Sequence, residues 1–480
     1  MKRICFILSV FLLSICAFNL SAADKEQRVE PKNNFKLYGF IRNYFVYDSR
    51  ESKSGTGDLF YYLPLDVSMN EAGTQDMNAT GSFRFLALTS RLGVDVSGYN
   101  LGNVHFGAKI EGDFYSGLSS IDAPKVNGLT GNTKVSGTAT ARLRQAYATI
   151  TWKDLPLNDE NKASVALKIG QAWHPMGADI PHVFSLEAGA PFGPFSRTPQ
   201  VTMDASLGKH WIVSASAIWQ MQYQSSGPSG SSAEYIKYAC TPEMYAGITF
   251  KSKGFLARAG IDLLSIKPRN YGIVKVTIPD PVSSEPNATK QIDSKVKVSD
   301  RKTSLLGYLY AQYSYKNFSI KAKTTYGEGG EHMNLMSGYA KVGENEDGSW
   351  NYASLRNSSS WLSMSVGKKW QGVLFVGYIK NLGLAKPSEE QYLLASSTDS
   401  STTLDIYFCG NGFSNLNQMY RINPQLVYNI GKLNVGLEYQ WTSVQYGKYV
   451  DGKLNSRALA DTGLHWIGNH RVNLMVKFNF

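Results

Sequence analysis

Charged residues spaced two apart inside apolar segments stand out first: Lys109-x-Glu111-x-Asp113, Arg142-x-Arg144, Arg91 with Asp95, and Lys321-x-Lys323. Two is the side-chain repeat of a β-strand, so each set shares one face. A face of that kind handles ions and polar solutes. The seven histidines, His105, His174, His182, His210, His332, His465 and His470, belong to no Gly-x-Ser-x-Gly elbow, no His-Glu-x-x-His and no spacing that fixes a triad. They read as loop or wall residues, and no catalytic residue is assigned. Cys5, Cys16, Cys240 and Cys409 form neither a disulfide framework nor a zinc motif, so the sequence calls for no metal and no cofactor.

The elements that carry these charges must suit a chain of 480 residues that is 43% hydrophobic and 18% charged, with 44 Gly, 28 Tyr, 22 Phe and 9 Trp. That aromatic content excludes disorder. The formal net charge of +11 is dispersed, with no Lys/Arg run of five, which disfavours a nucleic-acid partner. Met1-Lys2-Arg3, the apolar stretch Ile4 to Ala17 and the small residues Ser21-Ala22-Ala23 read as a secretory signal peptide over 1–23. The apolar stretch is shorter than the ~20 residues that a membrane-crossing helix needs. A short periplasmic segment, 24–34, then precedes a domain over 35–480.

No segment has 18 consecutive apolar residues, which leaves a soluble protein or a β-barrel. The C-terminal residues set Val472, Leu474, Val476, Phe478 and Phe480 against Arg471, Asn473, Lys477 and Asn479. Stretches of this alternation longer than the usual 5 to 6 residues favour a membrane barrel over a sandwich. Sixteen candidate strands fall near 35–47, 83–97, 103–115, 141–152, 162–173, 198–206, 210–221, 240–251, 255–266, 302–316, 317–327, 359–370, 371–380, 418–430, 432–446 and 470–480. Their connections alternate between long and short, the short ones including Tyr99-Asn100-Leu101-Gly102, Lys253-Gly254, Lys316-Asn317, Gln371-Gly372 and Gly431-Lys432. The fold class is therefore all-β, a transmembrane antiparallel up-and-down barrel of about sixteen strands. Trp152, Trp211, Trp361 and Trp370 at strand ends are expected in interfacial girdles.

A midplane Arg or Lys on the lipid face costs ~2–4 kcal/mol, so the charged parity of each strand must face water. This predicts pore-lining basic residues Arg42, Arg91, Lys109, Arg142, Arg144, Lys168, Lys321, Lys323 and Arg421. Five of them, Arg42, Arg91, Lys109, Arg144 and Lys168, sit on strands one to five and are expected to form a positive ladder. The other reading is that such charges only solvate the channel and pair with neighbours. Sixteen strands leave a channel wide enough to need narrowing. The apolar, proline-rich third long connection, 172–197, suits a loop folded inward as a constriction, with His174, Asp179, His182, Glu187 and Arg197 as its chemistry-bearing residues. Asp179 and Glu187 are expected to face the ladder across the opening.

Leu37-Tyr38-Gly39-Phe40-Ile41 on the first strand, the terminal Phe480, Lys168-Ile169-Gly170-Gln171-Ala172-Trp173 and Arg197-Thr198-Pro199-Gln200 resemble bacterial trimeric outer-membrane porins, the DcaP type among them. The Tyr-rich strands and polar loops resemble barrels of the Bacteroidota. The resemblance implies a homotrimer in the outer membrane of a Gram-negative cell, surrounded by outer-membrane lipid and inserted by the barrel-assembly machinery through a signal ending at Phe480. It also implies passive diffusion of small hydrophilic solutes, to which the ladder adds a mild anion preference. The alternative is a substrate-specific channel for small anionic solutes of carboxylate or phosphate type. An adhesin stays open, since outer loops can bind partners. A 22-strand transporter with an N-terminal plug does not fit eleven residues before the barrel.

Overall fold

The computed structural model describes residues 34–55, 60–87, 90–116, 139–158, 161–183, 189–282, 287–397, 399, 402–409 and 414–480. The signal peptide, nearly all of 24–34, and Glu187 lie outside them. The barrel strands are β1 (Asn34–Asp48), β2 (Ser82–Leu86 and Arg91–Leu101), β3 (Val104–Ser116), β4 (Ala139–Pro156), β5 (Lys162–Trp173), β6 (Arg197–Leu207), β7 (Trp211–Ile218) and β8 (Glu243–Ser252). The second half adds β9 (Phe255–Ile266), β10 (Lys302–Tyr315), β11 (Phe318–Glu328), β12 (Trp350–Gly367), β13 (Trp370–Leu384), β14 (Leu416–Ile430), β15 (Leu433–Tyr446) and β16 (His465–Asn479).

Each strand pairs antiparallel with its neighbours in the chain, and β1 closes the sheet on β16 from Phe40↔Asn479 to Asp48↔Arg471. Closure gives every strand edge a partner, as a lipid environment demands of backbone polar groups. The two parts of β2 pair with opposite halves of β1. Short turns join β2 to β3, β4 to β5, β6 to β7, and so on at one rim, and the long connections lie at the other. No helix among the described residues is long and apolar enough to cross a membrane. Among the described residues, Cys240 and Cys409 form no disulfide.

The alternation has its expected consequence. Leu37, Ile41, Ile110, Phe114, Leu305, Leu309, Leu426, Leu437, Val472 and Phe478 are exposed on the outer face, while Tyr44, Tyr245, Tyr308, Tyr310, Arg421 and Glu438 are buried on the inner one. Trp211, Phe255, Phe318 and Trp370, beside the short turns, make an exposed aromatic rim. Trp361 does not belong to a girdle. It is buried, with its ring 6.4 Å from Phe375 and 6.2 Å from Tyr310, and faces inward.

Four boundaries differ from expectation. β12 begins at Trp350 because its first residues pair with Gly338–Glu344, which in turn pairs with Ile406–Phe408, extending the wall beyond the barrel. It ends at Gly367, so the next turn is Lys368-Lys369 rather than Gln371-Gly372. Residues 240–242 are not strand, because the helix Glu234–Ala239 ends on Cys240 in the left-handed conformation (φ 53°) and only then does β8 start. Between β2 and β3 the turn is Gly102-Asn103, Tyr99 to Leu101 still being strand.

Candidate functional site

The lumen is shaped by two walls and a loop. On the first wall, β1 to β5, the charges are interleaved. Lys109 reaches Asp95 at 2.9 Å, and Arg142 holds Asp113 through two hydrogen bonds of 2.9 and 2.8 Å. Arg144 bridges Glu111 at 2.7 Å and Asp113 at 2.9 Å, and Arg91 lies 3.8 Å from Glu111. Tyr38 donates to Glu111 at 3.0 Å and accepts from Lys109 at 3.1 Å. The Phe40 ring lies under three cations, Arg42 at 4.8 Å, Arg91 at 5.0 Å and Lys477 at 4.6 Å. Lys168 lies over the Tyr147 ring at 5.5 Å. The ladder residues thus come together, paired with acids on the same wall: six basic groups (Arg42, Arg91, Lys109, Arg142, Arg144, Lys168) stand with three acidic ones (Asp95, Glu111, Asp113), and Arg84 pairs separately with Asp48.

A bulge lets Arg144 and Tyr147 share the lumen face. The β3–β4 register shifts between Glu111 and Gly112, so both arginines and then Tyr147 point inward, although an odd step separates Arg144 from Tyr147.

The connection from β5 to β6 crosses to the opposite wall, β9 to β14. Lys323 donates to the carbonyls of Met176 at 2.5 Å and Asp179 at 2.9 Å, Lys321 donates to that of Ile180 at 3.3 Å, and Arg258 pairs with the Asp179 carboxylate. His182 donates its backbone N–H to Ser363 at 2.9 Å and sets its ring 3.2 Å from Ser319. Farther along, Phe192 packs edge-on against Phe375 at 5.9 Å and under Arg421 at 5.1 Å. Two glycines allow this approach. A Cβ on Gly377 would lie 2.5 Å from the Phe192 ring, and one on Gly193 would lie 2.8 Å from Trp361 Nε1.

These contacts revise several expectations. Lys323 and Arg421 point inward, but at 3% and 1% exposure they are covered by the loop and do not line open water. By contrast, the side chains of Arg91, Lys109 and Arg142 keep 23%, 22% and 18% of their surface exposed. Asp179 does not face the ladder as a free charge, because Arg258 neutralises it on the far wall. Burial, helped by Lys321, pushes the His182 imidazole down to about 4, so it is neutral at ordinary pH and adds no charge. His174 is fully buried against Glu243 at 2.8 Å. Arg197 is buried under the Trp173 ring, 4.6 Å away, with both terminal nitrogens lacking a hydrogen-bond partner. Neither one lines a constriction. What sequence reasoning missed is Arg258 as a loop anchor; its inward parity was legible, its partner 79 residues away was not.

A closed sixteen-strand wall, an apolar outer band and a chain crossing the interior leave one architecture. The chain has the porin fold. It is similar to the outer-membrane channel DcaP of Acinetobacter baumannii, with 16% identity and a TM-score of 0.54 over 93% of this chain and 97% of that one. Lower scores link it to an anion-selective porin from Comamonas acidovorans (9% identity, TM-score 0.48, 94% and 100% covered) and to OmpF of Salmonella typhi (11%, 0.43, 93% and 98%). No family model matches the sequence, and no curated protein matches it.

Proposed function

We propose that the chain is an outer-membrane porin, a water-filled channel for passive diffusion of small hydrophilic solutes and ions with a mild preference for anions. The observation that carries this reading is the asymmetry of the lumen. The inward loop occupies the β9–β14 wall and uses its cations, and on the β1–β5 wall Arg91, Lys109 and Arg142 stay partly exposed with Asp95, while Arg144, Glu111 and Asp113 are buried behind them. Charges at a narrow level act on a passing ion, while those at wide mouths are screened within ~8 Å at physiological salt. A substrate-specific channel for carboxylate or phosphate solutes is the second reading.

The assembly is read as a homotrimer, supported by the fold and by the small outer-face residues Ala257 and Ala259, which permit close wall packing. In planar bilayers the purified protein is expected to give ohmic steps that close in groups of three at high voltage. Absence of conductance from folded, heat-modifiable protein would remove the channel reading, and a current that saturates with one solute class would replace it with the specific one.

Insertion is assigned to the barrel-assembly machinery acting through β16. Phe480 donates its N–H to Gly39 at 3.2 Å, and its ring occupies the space a Cβ on Gly39 would need. Deleting Phe480 should sharply lower the amount of heat-modifiable protein in the outer membrane, and undiminished levels would contradict this role.

A further inference from the structure

Behind the root of the inward loop lies a buried group of ionisable side chains that the channel reading does not use. His174 directly follows β5, Glu243 opens β8, Asp262 is on β9, and His332 sits in the short turn Glu331–Met333 between β11 and β12. All four are at most 2% exposed. His174 Nε2 and His332 Nε2 approach the same Glu243 oxygen, at 2.8 and 2.9 Å, and His174 Nε2 is 3.7 Å from Asp262 Oδ1. One donor atom each from His174, Glu243 and Asp262 lies within 4.8 Å of the others.

Two observations point to a ligand. Among the described residues, the second oxygen of Glu243, Oδ1 of Asp262 and His332 Nδ1 are buried with no hydrogen-bond partner. Buried polar atoms are ordinarily satisfied, and buried carboxylates require a counter-charge. The nearest cation does not supply one, because Lys302 is engaged with Glu331 at 3.2 Å and Ser304 at 3.1 Å. Of the described cationic groups, only the two imidazoles reach Glu243, and Asp262 has His174 alone at 3.7 Å, so a dication held among the four would balance both carboxylates. His174, Glu243 and Asp262 bring donor atoms close enough to share one ion, and His332 Nε2, 2.9 Å from Glu243, is placed to supply the fourth ligand of a four-coordinate borderline metal.

We propose that His174, Glu243, Asp262 and His332 bind a divalent transition metal, zinc foremost, which fastens the root of the inward loop to the barrel wall and to the β11–β12 connection. The same two loops already meet through the hydrogen bond from Phe195 N–H to the Met333 carbonyl at 2.8 Å. Metal binding through Nε2 moves the His174 proton to Nδ1 and gives up one long hydrogen bond, from Met176 N–H at 3.2 Å. That is a small loss beside coordination by four ligands.

The test uses the full-length, folded barrel, dialysed against zinc and then against metal-free buffer. Elemental analysis should find stoichiometric zinc, and cobalt in its place should give the visible absorption of a tetrahedral site. Glu243→Gln with Asp262→Asn should weaken retention by about a hundredfold or more, beyond what outer-sphere partners alone are worth. Chelation of wild-type protein should lower its thermal transition and broaden its conductance states. Wild-type barrel that retains no zinc and gives no cobalt spectrum would overturn the proposal, leaving two protons as the neutralising charge. So would zinc retained equally by the double variant. The wild-type cobalt spectrum decides the matter even where the variant fails to fold.

Discussion

Replacing Lys323 with Met is expected to raise single-channel conductance and make it noisy, because the first half of the inward loop loses its anchor. The ammonium group is buried and gives hydrogen bonds to two loop carbonyls, those of Met176 and Asp179. Hydrogen bonds to a charged group are worth about 1.5–3 kcal/mol each, and the orphaned carbonyls would cost about 1–3 kcal/mol each if they stayed buried. Met keeps most of the stem's packing, so the change isolates the polar contacts. The loop segment then gains by leaving the wall and exposing its carbonyls to water. Phe192 holds the far end, since burying that ring against Phe375 is worth about 1.5–3 kcal/mol. Detachment is therefore partial, and the current fluctuates. Arg258→Ala should act in the same direction, and the double change should add little to the single ones, because both residues secure the same loop segment through Asp179. Unaltered conductance and noise in Lys323→Met would show that the loop is held elsewhere.

The face of each strand was legible in the sequence wherever charge or bulk alternated. Spacing alone therefore puts Lys323, Arg421 and Arg144 on the inward face. What covers them was not legible. Lys323 and Met176 are 147 residues apart, and nothing in either segment names the other. Trp361 reads as a strand end from sequence because Ser358, Ser359 and Ser360, the same small residue on both faces, hide the continuation of β12 back to Trp350. The turn after β12 is hidden similarly, Lys368-Lys369 being a polar pair without glycine. The four buried residues behind the loop come from four separate elements, and metal ligands brought together by barrel closure leave no sequence spacing to read. Alternation fixes local facing; which segment fills the lumen is a property of the closed wall.

The largest change in selectivity is expected from replacing Arg42, Arg91 and Arg144 with Ala together. A simple ladder would lose three positive charges and drift toward neutrality. The pairing on this wall predicts more. Glu111 is held by Arg144 at 2.7 Å and lies 3.8 Å from Arg91, and both partners go in the triple variant, while Tyr38 and Gln145 remain as neutral neighbours. Asp113 keeps Arg142. The wall passes from six basic groups against three acidic ones to three against three, with one carboxylate stripped of its partners. Breaking a buried pair from one side costs about 3–5 kcal/mol if the remaining charge stays dry, so Glu111 turns toward the water of the channel. There it attracts cations. The reversal potential under a salt gradient should therefore cross zero into the cation-selective range, and Glu111→Gln added to the triple variant should bring it back toward zero. Lys290 and Lys295 lie on the hairpin of Tyr271–Pro279 with Thr289–Lys297, outside the barrel wall, so replacing them should barely shift it. Raising salt should weaken the wild-type preference as the Debye length falls from ~8 Å toward ~3 Å at 1 M. A wild-type channel that already prefers cations, or a triple variant with unchanged selectivity, would mean that the β1–β5 wall does not border the narrow part of the path.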